Sequence, residues 1–321
     1  MWRIRMADSD LITALYESMG EQCVTADDVA HVEVHGNEVL AKHLVEGLRV
    51  EAEKKDGALN VYVNVGSGVH IENPVRFCFG MIPKTGRQRI VMRVVIEKNA
   101  SLAALSSCTF PNAVDVLHSM DAEIDIAEGA EYIYLERHVH GPEGGVTVLP
   151  KAKVRLRENA KFRSDFELIR GMVGEINIQY DAVCEAGSVL EMSARVSGSG
   201  RDRIFINEKA HLAGEESRGV LMTKIAVRDQ ATAEIRNTLV ASAAGARGHV
   251  DCKEIVQGGA VAEAVPVVKV EHPKAHVTHE AAIGSVDSKQ LETIMSRGLD
   301  ENAASQLIID GLLAPQYGKG E

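Results

Sequence analysis

The chain has 321 residues, 45% of them hydrophobic and 25% charged, a balance that excludes disorder and lets a chain of this length bury most of its unfolded surface. With 35 Lys and Arg against 46 Asp and Glu, the formal net charge is −11 and no basic run occurs, which argues against nucleic acid or an anionic membrane as a partner. The charged start Met1-Trp2-Arg3-Ile4-Arg5 and the shortness of apolar stretches such as Leu239 to Ala246 leave neither a secretory signal nor a span, so a cytoplasmic protein is expected.

In chain order, Asp8 to Met19 carries Leu11, Ile12, Leu15 and Met19 at helical spacing, with Gly20 as a stop. Val39, Leu40, His43, Leu44 and Leu48 repeat that spacing before the charged stretch Glu51 to Gly57, so residues 1–57 read as a small helical region. From Leu59 the period changes to two: Leu59, Val61, Val63 and Val65 alternate with Asn60, Tyr62 and Asn64, and strand-like segments follow as far as Val265 to Val270.

Turns in which a polar pair precedes a small residue punctuate these strands. They are Lys98-Asn99-Ala100, Glu128-Gly129-Ala130, Glu158-Asn159-Ala160, Glu185-Ala186-Gly187, Glu208-Lys209-Ala210, Asp229-Gln230-Ala231 and Pro273-Lys274-Ala275, spaced by 30, 30, 27, 23, 21 and 44 residues. Several spacings match one coil of a stacked solenoid, and the last could hold two, with Gly258-Gly259-Ala260 between. An antiparallel sandwich would turn more often and favour Asn-Gly or Asp-Gly, so residues 58–284 are expected to form a parallel β-helix. Residues 285–321 return to helical spacing: Asp287 or Ser288 caps a first helix with Leu291, Ile294 and Met295 on one face and Arg297-Gly298 as its stop. Asp300 caps a second with Ala303, Ala304, Leu307, Ile308 and Leu312, ended by Pro315.

Five cysteines, Cys23, Cys78, Cys108, Cys184 and Cys252, form no Cys-x-x-Cys pair, so reduced thiols are expected. The densest chemical constellation is His249 and Cys252 followed by Glu271, His272, His276, His279 and Glu280. One coil would bring Cys252, 27 residues before His279 and 28 before Glu280, close to both, and thiolate, imidazole and carboxylate together suit iron or zinc. The competing reading makes Cys252 packing and the histidines a solvated edge. His138 and His140 share a strand face and read as loop-edge histidines. Ser197-Gly198-Ser199-Gly200-Arg201 is no phosphate loop, so this chain is expected to bind no nucleotide. Asp121 and Asp125 on one strand face keep a polysaccharide-cleaving β-helix open as a rival, and a purely structural solenoid is another.

The run His276-Val277-Thr278-His279-Glu280-Ala281-Ala282-Ile283-Gly284, then Gln290-Leu291, Ser296-Arg297-Gly298-Leu299 and Ala303 to Gly311, resembles the SufB/SufD family. Upstream, Val69-His70-Ile71-Glu72-Asn73-Pro74-Val75 and Leu105-Ser106-Ser107-Cys108-Thr109-Phe110-Pro111 with Leu117-His118 are similar to two further family segments. The resemblance implies a non-catalytic scaffold subunit of the SUF iron–sulfur assembly machinery: a mainly β, right-handed parallel β-helix between helical N- and C-terminal regions. It implies that an ABC-type ATPase, SufC, docks on the C-terminal helices (Leu291, Ile294, Met295, Arg297, Leu307, Ile308, Leu312), and that the β-helix pairs with a paralogue or a second copy.

An iron–sulfur cluster would be held transiently. Cys252 matches the SufB cysteine implicated in cluster building, Glu280 the carboxylate typical of SufB, and His279 the histidine common to both, making these three the implied metal or sulfur-accepting residues. Cys108 is a weaker candidate on a sulfur route. Against bacterial SufB the chain is shorter, lacks an N-terminal Cys-x-x-Cys and has Thr278 where an acid is expected, which suggests a minimal type that pairs with itself.

Overall fold

The computed structural model describes residues 6–21 and 28–315; Cys23 lies outside the described residues. Strands make up 59% of the chain, wound into a β-solenoid of about 8 turns with short helices at the termini. Helix α1 (Met6–Met19) is followed by β1 (His31–His35), β2 (Glu38–His43), β3 (Leu48–Lys55), β4 (Ala58–Val65), β5 (Val75–Gly80), β6 (Thr85–Ile96), β7 (Ser101–Phe110), β8 (Asp115–Ile126), β9 (Glu131–His140) and β10 (Val146–Leu156). Then come β11 (Lys161–Arg170), β12 (Glu175–Cys184), β13 (Val189–Gly198), β14 (Arg203–Leu212), β15 (Arg218–Val227), β16 (Thr232–Ala241), β17 (Arg247–Val256), β18 (Val261–Val270), β19 (His276–Gly284), α2 (Ser288–Met295) and α3 (Glu301–Leu313).

The chain alternates between two sheets, so that each strand from β6 onward pairs in parallel with the strand one coil before it. Alternation does the packing. On β12 Ile176, Ile178, Tyr180, Ala182 and Cys184 point into the core while Asn177, Gln179 and Asp181 face out. Fully buried Ile96, Ile126 and Leu156 are register partners in successive coils and stack along the axis, each side chain contributing about 1.5–3 kcal/mol on leaving water.

One series of corners carries a left-handed residue in each coil: Asn99 (φ 56°), Gly129 (67°), Asn159 (57°), Gly187 (66°), Glu216 (56°) and Gly245 (71°). These corners hydrogen-bond to one another, Asn99 N to Glu128 O at 3.0 Å, Gly129 N to Glu158 O at 3.0 Å and Asn159 N to Ala186 O at 2.8 Å. Ala100, Ala130 and Ala160 follow them into the core. At Gly129 a Cβ would also stand 2.4 Å from Asn99 Oδ1. Gly129→Ala is therefore expected to cost about 1–2 kcal/mol, read as a drop in the denaturant midpoint, with Asn99→Ala relieving the clash but not the dihedral strain.

Two expectations are corrected. Glu208-Lys209-Ala210 is no corner but the middle of β14, where Glu208 and Ala210 point inward; Asp229 (φ 62°) and Gly258 (φ 67°) belong to the opposite corner series. That explains the irregular spacings. Likewise Val39 to Leu48 forms β2 and the start of β3 rather than a helix: β2 doubles back on β1, β3 pairs antiparallel with β4, and the sheets already begin at His31. The apolar spacing suits either structure, and pairing decides it, with Leu48 and Val50 facing the core while Leu40 and Ala41 are covered by α1. Helix α1 forms as read, burying Ile12, Leu15, Tyr16 and Met19 against Leu40, Ala41, Cys78 and Val139.

At the other end Asp287 accepts from Gln290 N and Asp300 from Ala303 N, both at 2.8 Å, capping α2 and α3 as their sequences require. Helix α3 lays Ile309 and Leu313 against Ala226 and Ile255, and Arg195 Nη1 donates to Leu313 O at 2.8 Å.

Candidate functional site

Cys252 lies on β17, one coil from the C-terminal end, with its side chain fully buried in the solenoid. Asn237 Nδ2, which donates to Thr223 Oγ1 at 2.7 Å, also reaches Cys252 Sγ at 3.6 Å. Burial, and next the nearby Glu254, push this thiol up to about 12. Glu254 and Glu208 face the same interior; burial raises Glu254 to about 7 and Glu208 to about 8. Both oxygens of Glu254, Glu208 Oε2 and Asn237 Oδ1 are buried without partners.

Cys252 pairs in register with Ala281, so His279 falls opposite Val250 and Glu280 opposite Asp251. In a parallel ladder partners share a face, which puts His279 on the interior face diagonal to Cys252 and Glu280 on the exterior face. Glu280 there is exposed, with Lys253 Nζ at 3.9 Å, while Lys253 holds Asp251 at 2.9 Å. His249 Nδ1 meets Thr278 Oγ1 at 2.8 Å on that exterior face. Within one chain, then, Cys252 and His279 share a face and Glu280 does not.

A second group sits in the N-terminal half. Cys108 on β7 and His138 on β9 are register partners, Glu136 lies two residues before His138, and His118 on β8 reaches in from the other sheet. One ligand atom from each of these four buried residues lies within 4.8 Å of the others. His138 Nε2 is 2.8 Å from Glu136 Oε1, and its Nδ1 is 3.3 Å from His140 Nε2. Burial lowers His118, His138 and His140 to about 3 each and raises the Glu136 carboxyl and the Cys108 thiol.

The reading of His138 and His140 as loop-edge histidines is thus corrected: both end a strand and are buried. Sequence reasoning gave no site role to Glu136, His118, Glu208, Glu254 or Asn237. The signal was present in their phase. Tyr132, Tyr134, Glu136, His138 and His140 share one parity on β9, and the first two are plainly core residues.

The helix residues expected at an ATPase dock are divided between cover and exposure. Ile308 and Leu312 are half-buried beside Ile309 and Leu313, Leu291 and Ile294 are half-buried on α2, and Leu307, Met295 and Arg297 are exposed. Among the described residues no helix is long and apolar enough to cross a membrane.

Residues 85–312 match the family model for the SUF system FeS cluster assembly, SufBD core domain. The chain belongs to the SufBD family. An iron–sulfur cluster assembly SufBD family protein of Methanocaldococcus jannaschii is 33% identical over 268 residues, covering 84% of this chain and 85% of that protein. A SufBD family protein of Pyrococcus horikoshii is 29% identical over 305 residues, 95% of this chain and 93% of its own length. The Bacillus subtilis iron–sulfur cluster assembly protein SufB is 23% identical over 261 residues, 79% of this chain but 55% of that longer protein. SufBD membership fits the mainly β solenoid and a role in iron–sulfur cluster assembly.

Proposed function

We propose that this SufBD protein is a non-catalytic scaffold on which iron and sulfide are joined at the C-terminal end of the solenoid, working with the ABC-type ATPase SufC. The observation that carries this reading is the open last coil beside Cys252. Inward-phased Val270 and Ile283 are 49% and 47% exposed, and outward Val261 and Val267 are 60% and 44% exposed, an apolar edge of unpaired strands that calls for a partner. A second copy, or a SufB/SufD paralogue, meeting this edge would put two sets of Cys252, His279 and Glu280 side by side. Glu280, turned outward in its own chain, would then serve a site shared across the junction.

In this reading Cys252 accepts sulfur or ligates the cluster, with His279 and Glu280 as co-ligands of cargo held only transiently. Cys108 remains the weaker candidate on the sulfur route. SufC docks on α2, α3 and the turn between them, which expose Met295, Arg297, Leu299 and Leu307. The polysaccharide reading draws less support, because Asp125 accepts two bonds at 3.3 Å from Arg157 and is no free acid.

Anaerobic reconstitution with SufC, followed by iron and acid-labile sulfide analysis, tests the assignment. Wild type should hold cluster and Cys252→Ser should lose it, with its melting curve retained; equal signal in both moves the site away from Cys252. A strict monomer by light scattering, with SufC present, would remove the shared-site reading.

A further inference from the structure

We propose that Cys108, His118, Glu136 and His138 form a mononuclear site for one divalent transition ion of borderline softness, of the Fe2+, Co2+ or Zn2+ class, inside the N-terminal half of the solenoid. The site shares no residue with the open end and stands independently of the assembly role proposed for Cys252.

Four donors converge from three strands in both sheets, and their ligand atoms lie within 4.8 Å of one another. A tetrahedral site with metal–ligand bonds of about 2.0–2.3 Å spaces its donors roughly 3.3–3.8 Å apart, so binding asks for movements of about an ångström or less. Two polar atoms in the group lack a partner at hydrogen-bond distance: His118 Nε2, and Glu136 Oε2 on a carboxyl that the Tyr134 and Tyr180 hydroxyls approach. Buried polar atoms are ordinarily satisfied, and two orphans in one cluster point to a missing partner that both can bind.

The surrounding hydrogen bonds fix which nitrogens are free. Gln88 Nε2 donates to Gly36 O at 2.6 Å, so Gln88 Oε1 accepts from His118 Nδ1 at 2.8 Å and leaves a lone pair on His118 Nε2. His140 Nδ1 donates to Met172 O at 3.1 Å; its Nε2 therefore accepts from His138 Nδ1 at 3.3 Å, leaving a lone pair on His138 Nε2 as well. Each ring is thus oriented by a partner on its far nitrogen, the arrangement found behind metal-bound histidines. With His138 Nε2 accepting, the 2.8 Å contact to Glu136 Oε1 holds a proton on Glu136.

A cation can take that proton's place. Binding a divalent ion would release one proton from Glu136 and one from Cys108 to solvent, with no change of oxidation state. One carboxylate and one thiolate then cancel the ion's charge, so a neutral assembly stays in the apolar interior. A donor set of one sulfur, two imidazoles and one carboxylate selects against Mg2+ and Ca2+, which prefer oxygen throughout. A thiolate held in this way carries no sulfur, so the ion-bound form takes Cys108 off the sulfur route.

The test uses Co2+ as the probe, added anaerobically to the chelator-treated full chain. Wild type should bind one Co2+ with a near-ultraviolet thiolate-to-cobalt charge-transfer band and visible bands of a tetrahedral ion. The charge-transfer band should vanish in Cys108→Ser and persist in Cys252→Ser. Should Cys108→Ser fail to fold, His118→Gln decides: its Co2+ affinity should fall by at least about tenfold while the charge-transfer band remains at saturation. Absence of the band in wild type, its survival in Cys108→Ser, its loss in Cys252→Ser, or unchanged affinity in His118→Gln each overturns the site.

Discussion

Arg195→Ala is expected to detach the C-terminal helix from the solenoid and to lower stability by about 3–5 kcal/mol, the usual result of removing one partner from a buried ion pair. Arg195 is 7% exposed in its side chain and serves three acceptors. Its Nη2 lies 2.8 Å from both Asp165 Oδ2 and Glu167 Oε2, and its Nη1 donates to Leu313 O at 2.8 Å. That carbonyl belongs to the last turn of α3, where backbone acceptors have no partner within the helix and a cation is favoured. Removing the guanidinium leaves Asp165 with Ser193 Oγ and Glu167 with Arg137 as their remaining side-chain partners, and takes the polar tie from the helix end. Hydrogen exchange over 301–313 should accelerate in step with the lost stability. Arg195→Lys should recover only part of it, since an ammonium cannot reproduce the fork. If exchange in α3 is unchanged in Arg195→Ala, the helix is held by Ile309 and Leu313 alone. Because α3 carries Leu307, the same variant should also weaken the SufC docking proposed for this helix.

Glu208→Gln is expected to remove most of a pH dependence that burial imposes on the wild type. The Glu208 carboxyl titrates near 4.5 in water but near 8 inside the solenoid. Below pH 4.5 both folded and unfolded chains carry the proton and nothing is lost. As pH rises toward 8 the unfolded chain has released it and the folded chain still holds it, so stability falls, by about 3–5 kcal/mol in all for a fully buried group. The slope is negative over that window, opposite to that of a salt-bridged carboxylate. Denaturant unfolding at pH 5 and pH 8 gives the measurement: Glu208→Gln should match wild type at the lower pH and exceed it at the higher. An equal loss in both proteins would mean that Glu208 is ionised in the fold. Glu254, raised to about 7 in the same interior, should add to the effect when both are changed.

The coil architecture was legible because alternation along each strand and the small residue after each corner are local signals. Asn99, Gly129 and Asn159 are left-handed corners and also visible sequence marks. The register was legible only to within a residue or two: the coil from Cys252 runs to Ala281, and that small difference puts Glu280 on the opposite face from the thiol. A period-two pattern is unforgiving of such an offset. The interior polar groups were hidden for a different reason. Glu136 and His138 look like surface residues by type, and only their phase relative to Tyr132 and Tyr134, together with His118 arriving from the facing sheet, reveals them as core. Residues 39–48 failed because one apolar spacing satisfies both a helix and a pair of short strands, and the deciding contacts come from β1 and β4, elsewhere in the chain.

The two ends of the stack are unlike. At the first, β3 runs antiparallel to its neighbour and presents Arg49, Glu51, Glu53, Lys54 and Lys55, while its inward Leu48 and Val50 stay covered. At the last, β18 and β19 run parallel to their neighbours and show valine and isoleucine to water. Head-to-tail growth would have to seat a charged, antiparallel edge on an apolar one, and each added subunit would repeat that mismatch. Two last coils facing one another, as proposed, would remove both open edges at once and leave the charged edge at either extremity. In a solenoid, the architecture most disposed to grow without limit, this difference between the first strand edge and the last favours the closed pairing proposed above over open-ended stacking.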